Sequence, residues 1–279
     1  MQGTELRFEF GKNWSAFLSA LTEERITVAE ASLKQALGVD SLHNRNFLDI
    51  GCGSGLFSLA AIRLGATVHS FDYDPDSVAT TQELKRRCCP DAAQWTIERG
   101  SALDPAYLSK LGQFDIVYSW GVLHHTGNMW QALANVIPLV KEPDGRLFIA
   151  IYNDLGTRTR RWCAIKKFFV SSNPIVQWLL LIVLFAHNQS RLAISHLLRL
   201  DNPLPFRRWR AYKANRGMSV WRDFVDWVGG YPYETAKPEH IFEFYRKRGM
   251  TLEFLRTGGL GCNEYIFAFA ESQRGAVVA

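Results

Sequence analysis

The sequence predicts an α/β fold, with a mostly parallel sheet between two layers of helices. Three observations carry this expectation. Between Asn46 and about Asn153, short apolar runs of strand length alternate with amphipathic stretches of helical period. A glycine-rich turn follows the first of those runs. The chain's 279 residues, 47% hydrophobic and 21% charged, suffice for a sizeable core. The same composition excludes a disordered tail, a collagen-like rod and a small disulfide-stapled scaffold.

FLDI (Phe47–Ile50) reads as a short buried strand, and Ser54–Leu64 repeats Leu and Ala at helical spacing. ATVHSF (Ala66–Phe71) is the second strand, followed by a helix over Pro75–Arg87 with proline in its first turn. QWTIERG (Gln94–Gly100) and FDIVYSW (Phe114–Trp120) are the third and fourth strands. A helix over Met129–Val140 leads to the fifth, GRLFIAIY (Gly145–Tyr152). From Asn153 to about Val225 the rhythm breaks. This segment is rich in Arg and Trp, is punctuated by Pro174, Pro203 and Pro205, and reads as a helical insertion. A short helix over Pro238–Arg248 follows. Two last strands, Thr251–Thr257 and Glu264–Ser272, are joined by GGLGCN as a closing antiparallel hairpin. The expected organisation is one domain over 1–279: an N-terminal helical cap (1–45), a ligand-binding core (46–152), the insertion as a cover (153–225), and a C-terminal helix and hairpin completing the sheet (226–279).

A net charge of +5 is too mild to argue for nucleic acid. Its distribution is uneven: residues 153–225 hold thirteen Lys/Arg against three acids, a local +10 that leaves −5 for the rest. Those basic residues are interrupted by a long uncharged stretch and form no RNA-binding module, so no nucleic-acid partner is expected. Five cysteines (Cys52, Cys88, Cys89, Cys163, Cys262) form no CxxC pair and no zinc spacing; reduced thiols and no metal are expected. The first residues lack a basic stretch followed by an apolar one, so no signal peptide is read and a cytoplasmic location is expected. The longest apolar run, Ile175–Ala186, has twelve residues, against the roughly 20 a spanning helix needs.

LDIGCGSG puts Asp49 at the end of a buried strand and Gly51, Gly53 and Gly55 on the turn into a helix. Glycines there let a ligand approach the backbone, and a helix N-terminus offers N–H donors. The spacing is G-x-G-x-G rather than G-x-G-x-x-G, and no Gly-Lys-Ser/Thr follows, so neither a dinucleotide fingerprint nor a P-loop is read. Asp72 ends the next strand, about twenty residues on, where a carboxylate can accept both hydroxyls of a ribose.

The ordered motifs LDIGCGSG, FDYDP, RGSALD, FDIVYSWGVLHH and GRLFIAIY resemble those of the class I S-adenosylmethionine (SAM)-dependent methyltransferases over roughly residues 46–153. The resemblance implies a Rossmann-like seven-stranded sheet with an antiparallel C-terminal strand, SAM as cofactor and S-adenosylhomocysteine (SAH) as product. It also implies that Gly51, Gly53 and Gly55 wall the methionine part of SAM, that Asp49 lies near its amino group, that Asp72 holds the ribose and that Tyr73 lies along the adenine. Ser101 stands where many members carry an Asp facing the adenine amine, a contact that Ser101 and the Ala102 N–H could supply instead. Trp120, and Trp14 in a lid formed by FEFGKNW, are expected to close over the donor. The alternative for FEFGKNW is a helix staple. Similarity to a bacterial group of small-molecule methyltransferases extends through FEFGKNW, HHTG, RGMS, DWVGGYPYE and GGLGCNEY, and adds fold and reaction type only.

Ligands of open α/β sheets bind beyond the carboxyl ends of the strands. His125 is therefore the candidate base and His124 the second, against a reading in which both only pack the loop. Tyr152 and Asn153, Tyr231 and Tyr233, and Asn263 and Glu264 are candidate acceptor contacts. The expected activity is methyl transfer to a small, partly apolar acceptor, at oxygen first, with a quinol-like ring carbon or nitrogen behind. Two rivals stay open: a membrane-held lipid or quinone precursor as acceptor, and a SAM-binding sensor or scaffold that transfers nothing. The apolar run is read first as a roof over the pocket or a homodimer contact. A place in a membrane surface, with flanking Arg and Trp as its rim, comes second.

Overall fold

The computed structural model describes residues 7–8, 18, 21–198, 220–259 and 261–270. Helix α1 (Glu23–Leu37) ends at Gly38, whose left-handed φ of 64° lets the cap N–H reach the Lys34 carbonyl. Then follow β1 (Asn46–Ile50), α2 (Leu56–Arg63), β2 (Thr67–Asp72), α3 (Pro75–Cys88), β3 (Trp95–Arg99), the single turn α4 (Pro105–Leu108) and β4 (Ile116–Trp120). A 3₁₀ turn (Leu123–His125), α5 (Met129–Asn135), a second 3₁₀ turn (Ile137–Leu139) and β5 (Arg146–Tyr152) complete the core. The helix expected to reach Val140 stops at Asn135, because Pro138 has no N–H to continue its ladder. The insertion contributes α6 (Thr157–Ser171), α7 (Pro174–Leu198) and α8 (Val220–Gly229). Pro203 and Pro205 lie outside the described residues. Helix α9 (Pro238–Arg246) precedes β6 (Met250–Arg256) and β7 (Cys262–Phe269).

The seven strands form one sheet in the order β3-β2-β1-β4-β5-β7-β6. The first five run parallel, and β7 is antiparallel to both β5 and β6, as expected. Alternation along each strand feeds two cores. Phe47, Phe148 and Ile266 pack on one face under α1 and α2. Leu48, Ile149 and Phe267 pack on the other under α5 and α9. A third, smaller core joins Phe169 of α6, Leu181 of α7 and Val228 of α8, with Phe8 packed against it. A Cβ on Gly229 would meet the Phe8 ring at 2.2 Å, which accounts for one glycine of the Gly-Gly pair.

Among the described residues, no helix is long and apolar enough to cross a membrane. The outer face of α7 nonetheless leaves Ile175 at 73% and Val183 at 63% exposure, with Trp178, Leu179 and Ile182 between them.

Candidate active site

The connections leaving β1 and β4 run to opposite sides of the sheet, and this switch point opens a crevice at the strands' carboxyl ends. The turn after β1 is glycine-built for a physical reason. Gly51, Gly53 and Gly55 have φ of 76°, 54° and 77°, a region that costs other residues about 1–2 kcal/mol each. The turn is clamped against β2, since the Gly51 and Cys52 N–H groups both donate to the Phe71 carbonyl. Gly53 N–H donates to Asp72 Oδ2 at 3.0 Å and Asp74 N–H to Asp72 Oδ1 at 2.9 Å. The Asp72 carboxylate is thus fixed before any ligand arrives. Burial pushes its pKa up to about 6, against the pull of those two donors. Asp49 accepts from Ser58 Oγ at 2.5 Å. Burial pushes it up to about 7, with the nearby Asp72 charge adding to the shift. Among the described residues neither carboxylate pairs with a Lys or Arg.

These groups floor one cavity of about 1280 Å³. Gly51, Gly53, Asp49, Asp72, Tyr73, Ser101, Ala102 and Trp120 all line it. Gly55 does not; it caps α2, and a Cβ there would meet Thr81 at 2.8 Å. Tyr73 is 44% exposed, with the Arg7 guanidinium 4.4 Å from its ring centroid. Trp120 donates through Nε1 to Glu264 at 3.1 Å. Trp14 lies outside the described residues.

The far wall corrects several expectations. His125 and Tyr152 line the cavity, whereas His124 is wholly buried behind it. Consecutive residues of a 3₁₀ turn point about 120° apart, so His125 and His124 cannot share a direction. His125 Nδ1 donates to the Pro232 carbonyl at 2.6 Å, since a carbonyl can only accept, and Nε2 keeps its lone pair. Burial pulls the His125 pKa down to about 3, so its ring is neutral at pH 7. Asn153 is off the wall, its side chain donating to the Gly259 carbonyl. Tyr231, Tyr233, Asn263 and Glu264 are off it too. Tyr233 packs behind Tyr152 and Trp227. Asn263 accepts from the Gly258 N–H, and Glu264 binds Arg256. Between these rings lies Lys166, its ammonium 4.1 Å from the Trp227 ring centroid and donating to the Trp227 carbonyl. Burial pulls the Lys166 pKa down to about 7.

Sequence reasoning expected the insertion as a cover but named no site residue within its helices. Arg158, Arg161, Trp162 and Ile165 of α6 line the cavity, as do Leu184, His187, Asn188 and Arg191 of α7. Each set follows the spacing of one helical face, the signal that could have found it. Trp227 of α8 and Arg7 also line the cavity. Arg7 donates to the carbonyls of His125 and Thr126, so it also pins the histidine loop.

Residues 48–147, from β1 into β5, match the family described as a methyltransferase domain. Residues 48–147 thus form a methyltransferase domain. The ubiquinone biosynthesis O-methyltransferase of Yersinia enterocolitica is 29% identical over 123 residues, 43% of this chain and 47% of that protein. An Escherichia coli protein of the same name is 31% identical over 117 residues, 41% of this chain and 46% of its own. The chain thus spans about half the length of the curated relatives it matches. In fold it resembles magnesium protoporphyrin IX methyltransferase from Synechocystis PCC 6803, solved with bound SAH. There the TM-score is 0.51 at 14% identity, covering 88% of this chain and 83% of the other. A SAM dependent methyltransferase from Aquifex aeolicus gives a TM-score of 0.50 at 10% identity, covering 92% and 98%. The glycine turn, Asp72 and His125 lie within the matched methyltransferase domain, whereas the roof helices α6–α8 lie beyond it.

Proposed function

We propose that this chain transfers a methyl group from SAM to a hydroxyl oxygen of a small, partly apolar acceptor in the cytoplasm, releasing SAH. The observation that carries this reading is the single cavity running from the glycine turn and the carboxylates of Asp49 and Asp72 to His125, Tyr152, Trp162 and Trp227 under the insertion. A sensor or scaffold needs only the first half of it.

The residues present fit SAM. Asp49, buried, and Asp72, half-buried, pair with no Lys or Arg among the described residues, and a ligand bearing an ammonium, a sulfonium and a vicinal diol answers both. Asp72 would accept the ribose hydroxyls and Asp49 would face the ammonium. Tyr73 would lie along the adenine, with Ser101 and Ala102 lining its far edge. Bound SAM supplies an electrophilic methyl on a sulfonium.

The chain's own share of the work is alignment and exclusion of water. Aromatic rings of Tyr152, Trp162 and Trp227 make a dry wall for the acceptor body. Neutral His125 would take the hydroxyl proton at Nε2. So low a pKa makes it a poor base toward a resting hydroxyl, yet an adequate one as the oxygen forms its third bond, to methyl, and its proton becomes strongly acidic. Oxygen is favoured over carbon or nitrogen because the sequence relatives are named O-methyltransferases.

The test is transfer of label from methyl-tritiated SAM to a panel of hydroxylated aromatic compounds. Label recovered as an ether supports the reading; SAH binding with no label transferred to any compound favours the scaffold. On a labelled acceptor, His125→Ala is expected to slow turnover at least tenfold with SAH affinity near wild type. Equal turnover would leave His125 with only a packing role.

A second reading, an acceptor held in a membrane, is favoured by the exposed Ile175, Trp178, Leu179, Ile182 and Val183 stripe. The same stripe would suit a second copy of the chain. Flotation with vesicles of mixed phosphatidylglycerol and phosphatidylcholine separates these readings. The soluble-acceptor reading expects the protein to stay at the bottom of the gradient, and co-flotation of most of it would put the membrane reading first.

A further inference from the structure

The charges on the roof are not accounted for by methyl transfer alone. Arg158 stands on the first turn of α6, which contains no acidic residue, and Arg161 follows three residues on. A helix N-terminus is the positive end of the dipole and disfavours cations, and like charges three apart on a helix repel. Arg191 of α7 faces the same cavity. Among the described residues, no carboxylate lies within ion-pair distance of any of these three guanidinium groups. The other charges on the wall have occupations. Arg7 holds the histidine loop and stacks on Tyr73. Asp49, Asp72 and Asp74 lie at the donor end. Asp223 and Asp226 of α8 also line the cavity and have partners of their own. Three guanidinium groups on the roof are therefore left without an ion-pair partner among the described residues, and they line the same cavity as Trp162, Ile165 and Trp227.

We infer that the acceptor carries an anionic oxygen group, a carboxylate or a phosphate, which the guanidinium groups of Arg158, Arg161 and Arg191 bind while its apolar body lies against Trp162 and Trp227. This rests on the methyl-transfer reading of the cavity. Guanidinium groups suit the assignment, because their planar fork matches two oxygens of one anion and they remain charged at every physiological pH. The anion also relieves the repulsion at the start of α6. Anchoring one end of the acceptor at the roof fixes which of its hydroxyls reaches the donor end, so these arginines act on specificity.

The experiment is calorimetric titration of the SAH-loaded full chain with three probes that share one naphthalene body: 2-naphthoate, 2-naphthyl phosphate and the neutral 2-naphthamide. One or both anions are expected to bind at least tenfold more tightly than the amide, and which does so tells carboxylate from phosphate. The preference is expected to shrink as salt rises, because these side chains are partly in solvent. In the R158Q/R161Q double variant the preference is expected to vanish while SAH affinity holds. R191Q alone, as a milder change that guards against misfolding, is expected to lose part of it. Equal affinity for all three probes, no binding of any at millimolar concentration, or a preference that survives the double variant would overturn the inference. So would loss of SAH affinity in the double variant, which would place the guanidiniums on the donor's own carboxylate. Failure of the wild type to bind SAH at all would instead sink the methyl-transfer reading itself.

Discussion

Replacing Asp72 by Ala is expected to weaken SAM binding at least tenfold, about 1.4 kcal/mol. The carboxylate is held by the Gly53 and Asp74 N–H groups at the end of β2, facing the cavity. Its remaining lone pairs would accept two hydroxyls of the ribose as charge-assisted hydrogen bonds. The alanine variant loses both bonds, together with the anchor of the glycine turn. Titration calorimetry reads the effect directly, and an unchanged Kd in a folded variant would defeat the ribose assignment. The pH dependence follows with its sign. Burial raises the Asp72 pKa from 3.8 to about 6, so the empty folded chain binds more protons than the unfolded chain between those values. This group therefore costs the empty protein stability as pH rises from about 4 to about 6. Only the ionised form is a full acceptor, so SAM affinity is expected to fall as pH drops below about 6, and Asp72→Asn is expected to flatten that dependence.

The second large effect is expected at Gly51. A Cβ there would lie 2.3 Å from Val122 Cγ1 and 2.5 Å from Cγ2, at a φ of +76°. Left-handed backbone costs about 1–2 kcal/mol for alanine, and forcing a methyl into a packed contact adds about 1–3 kcal/mol. Gly51→Ala is expected to lose about 2–4 kcal/mol of stability and to weaken SAM binding, since the turn can relieve the clash only by moving. Gly112 is the control, with φ +75° and nothing within 4 Å of its Cβ position; Gly112→Ala bears the backbone cost alone. Urea unfolding of the pair checks this. Equal losses would mean that the Val122 contact relaxes freely and that the glycine turn is less tightly determined than its geometry indicates.

Much of the fold was legible because it rests on local pattern. Central strands buried on both faces read as continuous apolar runs, which is how Phe47–Ile50 and Gly145–Tyr152 stood out. The turn was legible because G-x-G-x-G and an acid one strand later are fixed offsets of one βαβ unit. The acceptor half was far less so. Asn153, Asn263 and Glu264 were read at strand ends and Tyr231 and Tyr233 around the Gly-Gly turn, but the side chains of Asn153, Tyr233, Asn263 and Glu264 are engaged in hydrogen bonds and ring contacts that spacing does not encode. The two adjacent histidines divide because a 3₁₀ turn sends one into the core and one to the cavity. The basic residues of the insertion were visible as composition. Their direction was not, because helical period gives a face without saying what that face meets; only the packing of α6 against α8 turns Arg158 and Arg161 toward the site.

The most direct test of the central claim, a SAM site built on the glycine turn and Asp72, is calorimetric titration of the wild-type chain with SAH. Saturable one-to-one binding in the micromolar range is predicted. No saturation at millimolar SAH would contradict the claim and leave the cavity to a different ligand.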